Sequence, residues 1–140
     1  RLPIEIWGGG WEPFLGKDCP NVVGINVPND RLPDLYRTSY ANINDHWDDM
    51  LKYQFINNRI FDSVACGLPV ITDYCEDLYK IFGDNILYYR NEEEFRQCIL
   101  KLEDNYPEIK KNTLSMWDMI RKEYSFEARA KQLLDIVKNN

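Results

Sequence analysis

The chain has a single histidine, no Cys-x-x-Cys pair, no long apolar run and no excess of basic residues. Each shortage closes off a class of function. Lys and Arg number 17 against 23 Asp and Glu, a net charge of −6, which is the wrong sign for a surface that tracks nucleic-acid phosphates. Any phosphate site must therefore be local, a helix dipole with one or two cations. Apolar runs such as Leu68–Ile71 fall far short of the ~20 residues a helix needs to cross a bilayer, and no signal peptide is visible. Cys19, Cys66, Cys75 and Cys98 match no zinc spacing and read as the reduced thiols of a cytoplasmic protein. Cys66 and Cys98 fall at apolar positions of predicted helices, where a thiol acts as a small hydrophobe.

What is present suits a packed domain. The 140 residues are 44% hydrophobic, with nine tyrosines and four tryptophans, a composition unlike that of a disordered chain. A domain of this size buries roughly two-thirds of its unfolded surface. There is no internal repeat, low-complexity tract or flexible linker, so 1–140 reads as one domain. It opens with Arg1 directly in a strand-like run, as expected of a piece of a longer protein.

Strand and helix patterns alternate. Strands are predicted over Leu2–Trp7, Asn21–Val27, Tyr40–Ile43, Val70–Thr72 and Ile86–Tyr89. Helices are predicted over Leu32–Thr38, Asn57–Cys66 and Glu76–Phe82, the second stopping at Gly67 with Pro69 beyond. Asn44–Asp49 reads as a polar loop. From residue 91 only helical periods remain. Asn91 caps a helix with Glu92, Glu93 and Glu94 in its solvated first turn, and Pro107 starts another, burying Ile109, Thr113, Met116, Trp117 and Ile120. Ser125 caps a terminal helix, about 125–139, that buries Phe126, Ala130, Leu133, Leu134 and Val137. Trp117 and Phe126 are expected in the core. The fold class is thus α/β, a parallel sheet flanked by helices with a helical C-terminal segment.

Ligands of such sheets sit beyond the carboxyl ends of the strands. Gly8–Gly10, the loop 44–57 and the start of the Asn57 helix are expected to converge there. Arg59 and Asp62 share a helix face near an N-terminus that favours anions. A diphosphate suits Arg59 and a sugar hydroxyl suits Asp62; the competing possibility is a surface ion pair. His46, flanked by Asp45, Asp48 and Asp49, is either a contact to phosphate or sugar or a solvated bystander. The acidic cluster lacks the spacing and glycine of a calcium loop, so no metal is expected. Gly8-Gly9-Gly10 falls short of a dinucleotide fingerprint, leaving turn formation and close ligand approach both open.

The run Asn57-x-Arg59-x-Phe61-Asp62-x-x-Ala65-Cys66-Gly67-x-Pro69 resembles the signature of group 1 glycosyltransferases, in particular their spore-maturation-protein-like branch. Ile4–Trp11, Leu35-Tyr36, Asn85–Tyr88, Tyr124-Ser125-Phe126 and Arg129-Ala130 follow the family's order. The resemblance implies the C-terminal, Rossmann-like half of a GT-B fold, which binds the nucleotide-sugar donor, a UDP- or GDP-sugar, without metal. It places Asp62 at the ribose hydroxyls, Arg59 and Asn57 against the diphosphate, and Gly8 and Gly9 close to the donor. Asp62 stands where the family has glutamate, and Gln54 where many members have a second glutamate. The acceptor half is missing, along with the first strand and helix of the donor half, so the chain alone is expected to be inactive and its catalytic residues are not identified. The acceptor, a glycan, lipid or protein, would meet the missing half, and the longer protein could associate with a membrane. The alternative from another class is a non-catalytic Rossmann-like binding or regulatory module, for instance a receiver-like domain using Asp73, the acid that follows a strand.

Overall fold

Parallel strands require crossovers, and the chain alternates strand and helix accordingly. A computed structural model describes residues 3–139, which divide into two compact units, the first ending at Leu35 and the second beginning at Tyr36. In the first, β1 (Ile6–Trp7) and α1 (Glu12–Leu15) precede β2 (Val22–Gly24), and the two strands pair in parallel. The Gly8 N–H donates to the Gly24 carbonyl at 2.9 Å. The Trp7 ring covers Gly24 so closely that a Cβ there would lie 2.5 Å from Trp7 Cζ3. Both strands are shorter than their apolar runs suggest, and Leu2 lies outside the described residues.

Helix α2 (Leu32–Thr38) has the predicted bounds. In the second unit, β3 (Asn42–Asn44) leads into α3 (Asp48–Lys52) and α4 (Asn58–Ala65). Next come β4 (Val70–Asp73), α5 (Glu76–Phe82), a 3-10 turn over Gly83–Asn85, and β5 (Leu87–Tyr89). The strands form a parallel sheet in the order β3-β4-β5, with Ile43 opposite Ile71 and Thr72 opposite Tyr88. Every residue of the central strand β4 is buried, as a parallel strand covered on both faces must be. Instead of one five-stranded sheet, the strands are shared between two. Residues 48–52, expected as loop, form α3. Tyr40, expected in a strand, stacks on Tyr106 with ring centroids 3.9 Å apart.

The core gathers Ile60 and Val64 from α4, Val70 from β4, Leu78 and Phe82 from α5, and Ile120. α6 (Glu92–Asp104) and α7 (Tyr106–Ser115) add Cys98, Leu102, Ile109 and Thr113 to the buried set. Asn91 caps α6 by accepting the Glu94 N–H at 2.9 Å. α8 (Trp117–Met119) and a π-helical turn (Ile120–Tyr124) lead into α9 (Phe126–Lys138), which Ser125 caps. All four cysteines are free thiols, and among the described residues no helix is long and apolar enough to cross a membrane.

The expected burial of α9 is corrected. Phe126 is 93% exposed, and Ala130, Leu133, Leu134 and Val137 are exposed too. Its apolar stripe exists, but periodicity only says that a helix has such a face and does not supply a neighbour to cover it. α9 meets the π-helical turn, where the Arg129 guanidinium lies 4.6 Å from the Tyr124 ring. Trp117 is likewise not in the core: it is 44% exposed, under the Arg121 guanidinium.

Helix α4 ends in a Schellman motif: the Leu68 N–H reaches the Ser63 carbonyl and the Gly67 N–H that of Val64, both at 2.9 Å. Gly67 has φ +70, and a Cβ there would meet Leu114 Cδ2 at 2.7 Å. The Leu114 tip is free to turn away, since that residue is exposed, but the left-handed backbone remains. Gly67→Ala should therefore lower stability by about 1 kcal/mol, read as a lower urea midpoint with an unchanged m-value.

Candidate functional site

Helix α4 runs back along the sheet, since its C-terminus at Gly67 feeds the start of β4. Its N-terminus therefore lies at the carboxyl edge, beside the loops that leave β3 and β4. His46 joins these pieces. Its backbone N–H donates to Asp73 Oδ2 at 3.1 Å, and its Nδ1 lies 2.5 Å from Asp73 Oδ1. On the other side of the ring, Nε2 accepts the backbone N–H of Asn57 at 3.2 Å. An amide N–H only donates, so Nε2 must carry a lone pair and Nδ1 the proton. The imidazole is thus neutral, with its N–H directed at a carboxylate.

The sequence left His46 as either a contact to phosphate or sugar or a solvated bystander; its side chain has no exposed surface. The ring is consequently engaged within the chain at both nitrogens. A His–Asp pair can serve as a general base only if the far nitrogen is free to take a proton. Here that nitrogen already accepts the Asn57 N–H.

Asp73 is equally occupied. Besides the two bonds from His46, its Oδ1 accepts the Thr72 hydroxyl at 3.0 Å. Burial pushes its carboxyl up, but the bonds from His46 and Thr72 outweigh that and hold it below the usual carboxylate range. A receiver-like domain needs an aspartate open to phosphorylation; this one has both oxygens bound inside. Around it, Asn44 Nδ2 donates to Thr72 Oγ1, and the Tyr89 hydroxyl donates to the Asn44 carbonyl. Asp45 is pushed up by burial and by the charge of Asp73, with bonds from Tyr89 and His46 opposing.

Asn57 caps α4, its Oδ1 accepting the Arg59 N–H at 3.0 Å. The Ser63 hydroxyl donates to the Arg59 carbonyl and accepts from Asn42 Nδ2, tying the helix to β3. Arg59 and Asp62 are both exposed. Among the described residues no ion pair joins them, so the surface-pair alternative is not what the structure shows. Asp62 reaches water but is partly desolvated by its surroundings, which pushes its carboxyl up. The Tyr36 phenol, raised mainly by burial, feels both the Asp62 charge and the opposing Arg59.

One property sets α4 apart. Each of the other described helices has an acidic residue in its first turn, and α4 has none. Its positive end is left uncompensated and carries Arg59, in a chain of net charge −6. This signal was present in the sequence, since it needs only helix starts and a search for Asp and Glu.

Gln54 was missed as a structural residue. Its backbone adopts φ +55, and its Oε1 accepts the Asp77 N–H at 3.3 Å and the Cys75 thiol at 3.2 Å. It thereby caps α5, whose own cap residue Cys75 supplies no side-chain bond. Gly8 and Gly9 belong to the first unit. Gly8 and Gly10 have φ +139 and +87, so a turn accounts for glycine at those two; Gly9 needs no such conformation. Two cavities, of about 350 Å³ near Asp84, Lys101 and Asn112 and about 430 Å³ near Tyr74, Tyr79 and Arg90, are lined by none of Asn57, Arg59, Asp62 or His46.

A family model described as glycosyl transferase-like matches residues 1–135. No curated protein and no solved structure matches.

Asp73→Asn tests the centre of the site. The folded-state pKa of Asp73 is depressed, so its contribution to stability is present above the unfolded-state pKa and disappears as pH falls through the folded one. Asp73→Asn should lose about 1–3 kcal/mol at pH 7. It should also lack the share of acid destabilisation due to Asp73, both read from urea unfolding at a series of pH values.

Proposed function

The chain belongs to the glycosyl transferase-like family, whose model covers nearly all of it, and we propose that it is the donor-binding, C-terminal half of a GT-B glycosyltransferase of group 1, in the spore-maturation-protein-like branch. On this reading it holds a nucleoside diphosphate sugar, a UDP- or GDP-sugar, for hexosyl transfer to an acceptor hydroxyl. The acceptor glycan, lipid or protein meets the other half of a longer cytoplasmic protein, and the piece alone is inactive. The observation that carries the proposal is the uncompensated N-terminus of α4, with Arg59 on it, at the carboxyl edge of a parallel sheet.

Transfer of a sugar leaves negative charge on the departing diphosphate. Groups already aimed at that charge stabilise the transition state without reorganising. Arg59 and the first-turn N–H groups of α4 supply them in this chain, Asn57 keeps the turn in shape, and no metal is invoked. Asp62, one turn further on, has acceptor oxygens for ribose hydroxyls. Its carboxylate is one methylene shorter than the family's glutamate, so the ribose would sit correspondingly closer to the helix.

Calorimetric titration with UDP, GDP and inorganic pyrophosphate separates these roles. Arg59→Ala should weaken all three by about tenfold or more, the loss of a charge-assisted contact. Asp62→Ala should weaken UDP and GDP while leaving pyrophosphate unchanged, because pyrophosphate has no ribose. Absence of any nucleotide binding by the folded chain would falsify the donor-binding role.

A further inference from the structure

His46 is the only histidine of the chain and its ring is buried, yet its position serves no ligand directly. What it holds is the residue that starts α4. We propose that His46 is a positioning residue for the donor site: its neutral, Nδ1-protonated imidazole accepts the Asn57 N–H and so keeps the first turn of α4 in the shape that receives the donor diphosphate. The proposal rests on the donor-binding reading above and deepens it by naming what sets the geometry of that turn.

The hydrogen-bond pattern carries the inference. Asn57 uses its side chain to cap the helix and its backbone N–H to reach His46 Nε2. The imidazole is in turn fixed by two contacts to Asp73, itself at the end of the buried central strand. Strand, ring and helix start therefore form one chain of bonds, and Arg59 follows two residues later.

The test has three parts, all on the 140-residue chain. Nitrogen-15 NMR of labelled histidine at about pH 8 should show Nδ1 protonated and Nε2 bare; the opposite tautomer overturns the proposal. Binding of UDP-glucose and GDP-mannose is then measured at the same pH. His46→Gln, whose amide oxygen can take the Asn57 N–H, should bind within about twofold of the unsubstituted chain, and His46→Asn, too short to reach Asn57, should bind about tenfold more weakly. Equal binding by His46→Asn and the unsubstituted chain overturns the proposal. The Asn57 amide resonance provides the arm independent of donor. If neither sugar nucleotide binds but that resonance shifts in His46→Asn and not in His46→Gln, the donor reading fails and the hold stands. If the resonance does not move, the hold fails as well.

Discussion

The carboxyl edge of the sheet depends on one imidazole. His46 is placed between a carboxylate that ends the central strand and the amide that begins α4, and each contact presupposes the other. Asp73 selects the Nδ1–H tautomer, and only that tautomer leaves Nε2 bare to receive an amide proton. Removing either partner would leave a buried polar group unmatched, the costly half of hydrogen-bond energetics. Among the described residues no buried side-chain nitrogen or oxygen lacks a partner, so this network is closed. A closed network rigidifies what it holds.

What it holds is electrostatically unusual for this chain. Acid residues stand at the first turns of the other described helices, each stabilising its own dipole. The start of α4 forgoes that stabilisation and has Asn57 as its cap instead, a neutral residue that satisfies an N–H without adding charge. An aspartate cap would have served the helix equally well and repelled a diphosphate. Neutral cap, absent acid and exposed Arg59 agree with one another, and they agree with the proposed donor site more closely than with helix stability alone.

Local signals were legible and long-range ones were not. The bounds of α2 and α5, the caps at Asn91 and Ser125, the stop at Gly67 and the buried run of β4 all follow from neighbouring residues, and all are found; Asn57, read as the first residue of α4, is its cap. The burial of His46 could not be read, because Asn44–Asp49 is polar throughout and its partner Asp73 lies 27 residues away. Gln54 was legible only as a missing carboxylate; its capping of α5 joins residues more than twenty apart. The apolar periods of α9 and the side of Trp117 were real but uncovered, since a hydrophobic stripe does not specify what packs on it. That Arg59 and Asp62 share a helix face was legible from their spacing, while their lack of mutual pairing required side-chain positions.

That lack of pairing bears on function through desolvation. A carboxylate beside an arginine is stabilised in its charged form, and the two charges then largely satisfy each other. Among the described residues no ion pair joins Asp62 to Arg59, and partial burial raises its carboxyl. Arg59, one turn nearer the sheet edge, is equally uncommitted to it. A partly desolvated acid without a cation beside it gains more from accepting hydroxyl protons than one already paired, and a guanidinium not bound to that acid gains more from phosphate. The two side chains share a helix face without neutralising each other. Under the proposed donor role, the ribose and the phosphates of a nucleoside diphosphate would each meet a side chain of α4 not bound to the other, whereas a closed ion pair would offer neither.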